Sequence, residues 1–341
     1  MDLSIAGILM LDGITNGAIY ALLALATVLV FAVTRVIFIP QGEFVAFGAL
    51  TMATLQLGKT PLTVHFLLAM TAAVLLLDGW AAWRAGQGLR KPLLAAALPA
   101  LIGLLALWLA PQQLPLIGQA LLTLAIVTPM GGLIYRLAYQ SLADATVLVL
   151  LIVSVGVHFA LTGLGLAFFG AEGSRNPSFW EASFNAGPLM LSGQSLIIVG
   201  ASIALIVLLW LFFERSLYGK ALRATAVNRL GARLMGISST GAGQLAFTMA
   251  AFIGALSGLL ISPTTTIFYD SGFLIGLKGF VGAVFAGLAS YPGAALGAVL
   301  VGLLESFSSF WASAFKEVIV FTSILPVLLW RSLRDPHQEE H

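Results

Sequence analysis

The residues of this chain that could do chemistry are few, and they interrupt apolar sequence. VIFIPQGEFVAFGAL sets Pro40, Gln41, Gly42 and Glu43 inside an otherwise apolar segment. SPTTTIFYDSG, residues 262–272, sets Pro263 and Asp270 between two more, and Lys278 follows in the Gly-rich GLKGFVGAVFAGLAS. An ionised carboxylate at the centre of a bilayer costs about 2.5–3.5 kcal/mol on insertion scales, so Glu43 needs a partner or water. Three readings are open at this point. Glu43 is hydrated near an interface, or it pairs with Lys278, or both breaks belong to interrupted helices that face a central pathway, as in transporters built from repeats. In the first apolar segment Asp12, Asn16 and Tyr20 recur at i, i+4 and i+8 and share one helix face. That face can look into the protein, where Asn16 either cross-links helices or touches a substrate.

Other chemistries are excluded or disfavoured. There is no Cys, so neither a disulfide nor a thiolate metal site can form. The four His residues, His65, His158, His337 and His341, show no ligand spacing, and no metal or cofactor is expected. ATLQLGKT, residues 53–60, fits a loose phosphate-binding pattern. Such a loop needs a preceding strand and a following helix N-terminus, whereas here it closes an apolar span and runs into Pro61, so the match is chance.

The elements that must position these residues are membrane helices. Of 341 residues 60% are hydrophobic and 9% charged, with a mean hydropathy of +1.02, against about 25% charged in a soluble domain. No soluble catalytic domain fits, and a net charge of +2 makes nucleic acid an unlooked-for partner; lipid is the surroundings. Apolar stretches fall near 5–33, 37–58, 62–83, 92–110, 114–134, 147–169, 195–213, 240–262, 276–290, 293–312 and 317–331. The expected fold is all-α and polytopic, one transmembrane domain over 1–341 with ten to eleven membrane segments, broken or re-entrant helices among them. Met1 and Asp2 lead into apolar sequence without a basic n-region, which reads as a retained span rather than a signal peptide. The segment 276–290 is short for a span and either crosses or turns back. Gly293, Gly297 and Gly302, with Ala294, Ala295 and Ala298, are read as a close-packing face.

Between two long apolar runs lies ERSLYGKALRATAVNRLGARLMGISS, residues 214–239, with five basic residues against one acid. A membrane protein keeps such a loop in the cytoplasm. Counting outward from it puts Arg35, Arg84, Arg90, Lys91, Arg136, Arg331 and Arg334 on the same side, and the 170–194 loop with Trp180 on the other. Gly219, Gly231 and Gly236 are expected to divide the loop into short helical pieces, either a docking surface or a plain topology signal.

ITNGAIYALLALA at 14–26, VIFIPQGEF at 36–44 and the stretch from GKALRATAVNRLGARLMGIS to GLKGFVGAVFAGLASYPGAALGAVLVGLLE at 219–305 resemble the LivH-type permease subunits of bacterial branched-chain amino acid ABC importers. Gln41, Gly42, Glu43 and Phe44 match the family's second segment, from which Phe38 and Pro40 depart; Val227 and Asn228 stand where members tend to carry acidic or amide residues. The resemblance implies that 219–238 seats in an ATPase subunit, with Lys220, Arg223, Arg229, Arg233, Met235 and Gly236 as the coupling residues. The pathway is expected to draw on Asn16, Tyr20, Gln41, Glu43, Asp270 and Lys278 and to work by alternating access, with no catalytic residue in this chain. The resemblance also implies a second permease, two ATP-binding subunits, a substrate-binding protein outside, and a bacterial inner-membrane location. Residues 78–115 look like an added apolar hairpin that typical members lack, and urea, short amides and other amino acids are substrates of related permeases. The competing class is an ion-coupled secondary transporter or channel using Glu43, Asp270 and Lys278 without ATPases.

Overall fold

The computed structural model describes residues 3–86, 88–186 and 189–334; His337 and His341 lie outside them. In chain order the helices are α1 (Leu3–Thr34), α2 (Glu43–Gln56), α3 (Leu62–Arg84), α4 (Arg90–Leu109), α5 (Leu116–Ile134) and α6 (Val147–Phe169). After a ribbon of β1 (Ser183–Ala186) and β2 (Leu189–Ser192) come α7 (Gly193–Arg215), α8 (Leu217–Val227), α9 (Arg229–Leu234), α10 (Ser239–Ile261), α11 (Ser271–Phe285), α12 (Tyr291–Trp311), α13 (Lys316–Thr322) and α14 (Ile324–Arg334). Helix dominates because a chain without water at hand must satisfy its backbone polar groups within each segment. The hydroxyls of Thr27, Thr34 and Thr71 do the same locally, donating to the carbonyls four residues back. The antiparallel ribbon, pairing Ser183 with Ser192, departs from all-α, and it lies in the α6–α7 loop.

Nine helical stretches of the described residues are long and apolar enough to cross a membrane. Two more elements are shorter than a full span. α2 has 14 residues and α11 has 15, about 21–23 Å against a hydrocarbon core of about 30 Å. Each follows a stretch that is not α-helical. Ahead of α2, Arg35 adopts φ +61° and a single 3-10 turn, Ile39–Gly42, carries Pro40 near its start, where a residue without an N–H is tolerated. Ahead of α11, residues 262–270 fold back under the α6–α7 loop, with Ser174 bridged to Ile267, Arg175 donating to the Pro263 carbonyl at 2.8 Å and Asn176 to Ser262 Oγ at 2.8 Å.

Whether the Gly-rich segment crosses is decided by its two ends. α11 starts at Ser271, five residues earlier than the apolar pattern indicated, beside the loop that leads into α7. It ends at Phe285, and the following Tyr291 ring stands 5.4 Å from Phe213 at the far end of α7. α11 therefore runs from beneath the α6–α7 loop towards the end of the bundle where α7 finishes. Arg35, Arg223 and Gly287 line one groove, so Arg35 lies beside the basic loop.

Glycine lets the central helices touch. A Cβ on Gly302 would stand 2.6 Å from Gly17 Cα, and one on Gly282 would stand 2.6 Å from Ala298 Cα. The face named from sequence on α12 is thus a packing face against α1 and α11. Residues 78–115 form the end of α3, a turn at Gly86 (φ +64°), α4 with Pro99 inside it, and the turn into α5. ATLQLGKT closes α2 and turns at Gly58 (φ +68°) with no strand before it, so it is not a phosphate loop.

Candidate functional site

The two chain breaks meet. Gly42, at the end of the 3-10 turn, lies against Gly272 and Gly276 in the first turns of α11: a Cβ on Gly276 would sit 2.6 Å from Gly42 Cα, and one on Gly42 would meet the Gly272 carbonyl. Only glycine on both sides permits this approach. α2 and α11 therefore begin at nearly the same place, Glu43 opening α2 and Asp270 preceding α11. Gln41 fixes the height by donating from Nε2 to the Ala250 carbonyl at 3.0 Å, midway along α10. His158, midway along α6, makes a 2.9 Å bond from Nδ1 to Glu43 Oε1. The His158 ring stacks 4.7 Å from Phe273. Asp270 itself is exposed.

Glu43 is thus not paired with Lys278, and that pairing is corrected by this geometry. Its side chain is 0% exposed, so the interfacial, hydrated reading fails as well. Two features act against the insertion cost of about 2.5–3.5 kcal/mol. The N-terminus of α2 favours negative charge by up to about 2 kcal/mol in a partly buried setting, and His158 supplies a hydrogen bond. Glu43 Oε2 and Gln41 Oε1 are buried without a hydrogen-bond partner among the described residues, which leaves acceptors where the half-helices join.

Lys278 belongs to a second cluster. Its Nζ lies 2.5 Å from Glu305 Oε1 and 3.1 Å from Glu317 Oε1, while Tyr20 Oη donates to Glu305 Oε2 at 2.5 Å. One network thereby ties α1, α11, α12 and α13. Tyr20 and Lys278 are brought together, apart from Gln41 and Glu43. Asn16 is half-buried on α1 and Asp12 is exposed, so their shared face enters the bundle only at Tyr20.

At the opposite end, the basic loop is two short helices. They are divided by side-chain caps and not by Gly219 and Gly231, which lie within α8 and α9. Ser216 accepts from Gly219 N at 2.9 Å, Asn228 from Gly231 N at 2.8 Å and Ser238 from Gly241 N at 3.1 Å. A polar oxygen satisfying a free N–H starts a new helix more firmly than glycine ends one. Gly219 instead lets α8 lie on α7, where a Cβ would come 2.7 Å from Phe213 Cα; Gly236 does end α9, at φ +82°.

Three of the arginines turn towards their own chain. Arg223 donates to Glu214 at 2.8 Å and to the Phe213 carbonyl at 2.6 Å. Arg229 donates to the Ala143 carbonyl at 2.8 Å, and Arg233 to Ser239 Oγ at 2.9 Å and Asp144 at 3.2 Å. Large apolar side chains are the most exposed: Val227, Leu234 and Met235 are 87%, 81% and 83% exposed, with Leu217, Tyr218 and Leu230 beside them. Lys220 is exposed too. His158, Glu305, Glu317 and Asp144 were not singled out from sequence. A lone ionisable residue in a span was the available signal for His158 and Glu305; nothing local marked the exposed Asp144.

Residues 90–329 match the family model described as branched-chain amino acid transport system / permease component. The chain is 25% identical over 336 residues to the high-affinity branched-chain amino acid transport system permease protein BraD of Pseudomonas aeruginosa, covering 94% of this chain and 92% of the relative. It is 25% identical over 329 residues to the corresponding protein LivH of Escherichia coli, with the same coverage. Among solved structures, PsaBC from Streptococcus pneumoniae in complex with Fab is similar at 12% identity and a TM-score of 0.38, over 94% of this chain and 90% of that one. With nine helical stretches long and apolar enough to cross a membrane among the described residues and a family match over most of its length, this multi-pass membrane protein belongs to the branched-chain amino acid transport system permease family.

Proposed function

We propose that the chain forms half of a translocation pathway for branched-chain or related amino acids, working by alternating access and driven by ATP hydrolysed in separate subunits. Its partners are a second permease, two ATP-binding subunits and an extracytoplasmic substrate-binding protein, in a bacterial inner membrane with 214–239 in the cytoplasm. The observation that carries this reading is the outward face of α8 and α9. An exposed apolar surface on short helices, stiffened by arginines held against the chain's own backbone, is suited to dock on another protein. The branched-chain substrate rests on likeness to BraD and LivH.

The coupling set then divides by role. Met235, with Leu234 and Val227, makes the contact; Arg223, Arg229 and Arg233 hold its shape; Lys220 lies at its rim and Gly236 gives the turn into α10. Substrate passes at the junction of α2 and α11, beside Gln41 and Glu43. ATP binding in the partners moves α8 and α9 as a unit, and the junction opens. An ion-coupled transporter could use the same junction, since half-helices and a buried carboxylate suit it equally, but it gives no purpose to the exposed apolar face. The reading is tested by leucine uptake into proteoliposomes holding the whole assembly. Uptake that requires hydrolysable ATP is the expected result, and uptake by this chain alone on an ion gradient would refute it.

A further inference from the structure

Resting on the permease reading, we propose that the loop 140–146 is the positioning link between α9 and the Glu43 junction, with Asp144 and Tyr139 as its positioning residues and α6 as the lever. The loop is held from the α9 side at adjacent residues, Arg229 on the Ala143 carbonyl at 2.8 Å and Arg233 on Asp144 at 3.2 Å. It leads directly into α6, whose first turn Thr146 caps through Val149 N. Before the loop, α5 gives way to a π-helical turn, Tyr135–Tyr139, a geometry that is rare and concentrates at functional positions.

From that turn Tyr139, fully buried, reaches both elements that enclose the junction. Its hydroxyl bonds Ser154 Oγ at 3.1 Å on α6, one turn before His158. Its ring lies 5.9 Å from Phe38 and 5.0 Å from Phe247, and Phe38 leads into the 3-10 turn that delivers Glu43. A displacement of α9 thus has a continuous route of contacts to both partners of the His158–Glu43 bond. Asp144 is 77% exposed, and exposed ion pairs add little to stability. Its replacement should leave the fold intact and affect only the transmission.

The experiment compares the complete assembly carrying Asp144→Asn, Tyr139→Phe, or Asp144→Arg with Arg233→Asp, measuring uptake and ATP hydrolysis together. The proposal expects both single variants to assemble at the wild-type level and to lose about threefold or more in substrate moved per ATP hydrolysed. Hydrolysis stimulated by the binding protein should stay within about twofold, and the reversed ion pair should recover part of the ratio. An unchanged ratio in both single variants overturns the link, as does a parallel fall of uptake and hydrolysis that the reversed pair does not recover. A wild-type assembly that fails to take up substrate on addition of ATP would overturn the permease reading itself; a working assembly with unaltered ratios overturns this inference alone.

Discussion

Gly42 and Lys278 show how single residues set what the bundle can do. The half-helices can share a starting point only because Gly42, Gly272 and Gly276 carry no Cβ. Overpacking a tight interior typically destabilises by about 1–3 kcal/mol, and at Gly42 the atom met is backbone, which cannot rotate away. Gly42→Ala is expected to lower the melting temperature of the purified protein and abolish uptake; a melting curve matching wild type would contradict the contact. At Lys278 the argument is electrostatic. Its ammonium sits between Glu305 and Glu317 with little exposure, and removing one partner of a buried pair costs about 3–5 kcal/mol. Lys278→Met should therefore unfold more readily than Lys278→Met combined with Glu305→Met, an ordering that thermal denaturation of the two variants checks directly. Equal stability of the two would mean that Lys278 does not neutralise Glu305, and the network would lose its structural role.

At the scale of elements, α2, α11 and the α8–α9 pair show what was legible in the sequence and what was not. The polar breaks before α2 and α11 stood out against apolar surroundings, because Pro40 and Pro263 each lack a backbone donor and Glu43 is costly in lipid. That the breaks touch each other was not legible, since residues 42 and 272 are far apart in the chain and meet only in the folded bundle. The same limit applies to Glu43, whose partner His158 lies 115 positions along the chain. In the basic loop the charges drew attention to the right segment, but charge does not reveal which way a side chain turns. The arginines brace and the apolar residues face out. Leu234→Glu is accordingly expected to leave the melting temperature within about 1 °C, as a surface change away from packing does, while abolishing co-purification of the ATP-binding subunits. Arg223→Ala should weaken that association less, because it loosens the support and leaves the surface in place. Co-purification that survives Leu234→Glu would exclude this face as the docking site.

For the molecule as a whole, composition alone settled that the chain is a polytopic membrane bundle, because segments this apolar have no stable place in water. Among the described residues the nine long helical stretches, with α2 and α11, follow the eleven apolar stretches closely. The boundary of α11 moved because Phe273, Leu274 and Ile275 extend the apolar run towards its N-terminus, where Gly272 lies against Gly42. The bundle places its candidate pathway at mid-height and its exposed apolar face at one end, joined by α6 and α10. An importer needs that separation, with substrate handled inside the membrane and energy delivered outside it.

The claim on which this account turns is that α8 and α9 receive force from an ATP-binding subunit. The chain contains no Cys, so Met235→Cys introduces a unique thiol on the exposed face without further changes. In the complete assembly, a short bifunctional reagent should join this position to the ATP-binding subunit, with a yield that changes between nucleotide-free and ATP-bound states, and the joined assembly should stop transporting. Labelling of the same cysteine by a membrane-impermeant reagent from the outside of intact cells, or failure to join it to any neighbour, would contradict the account.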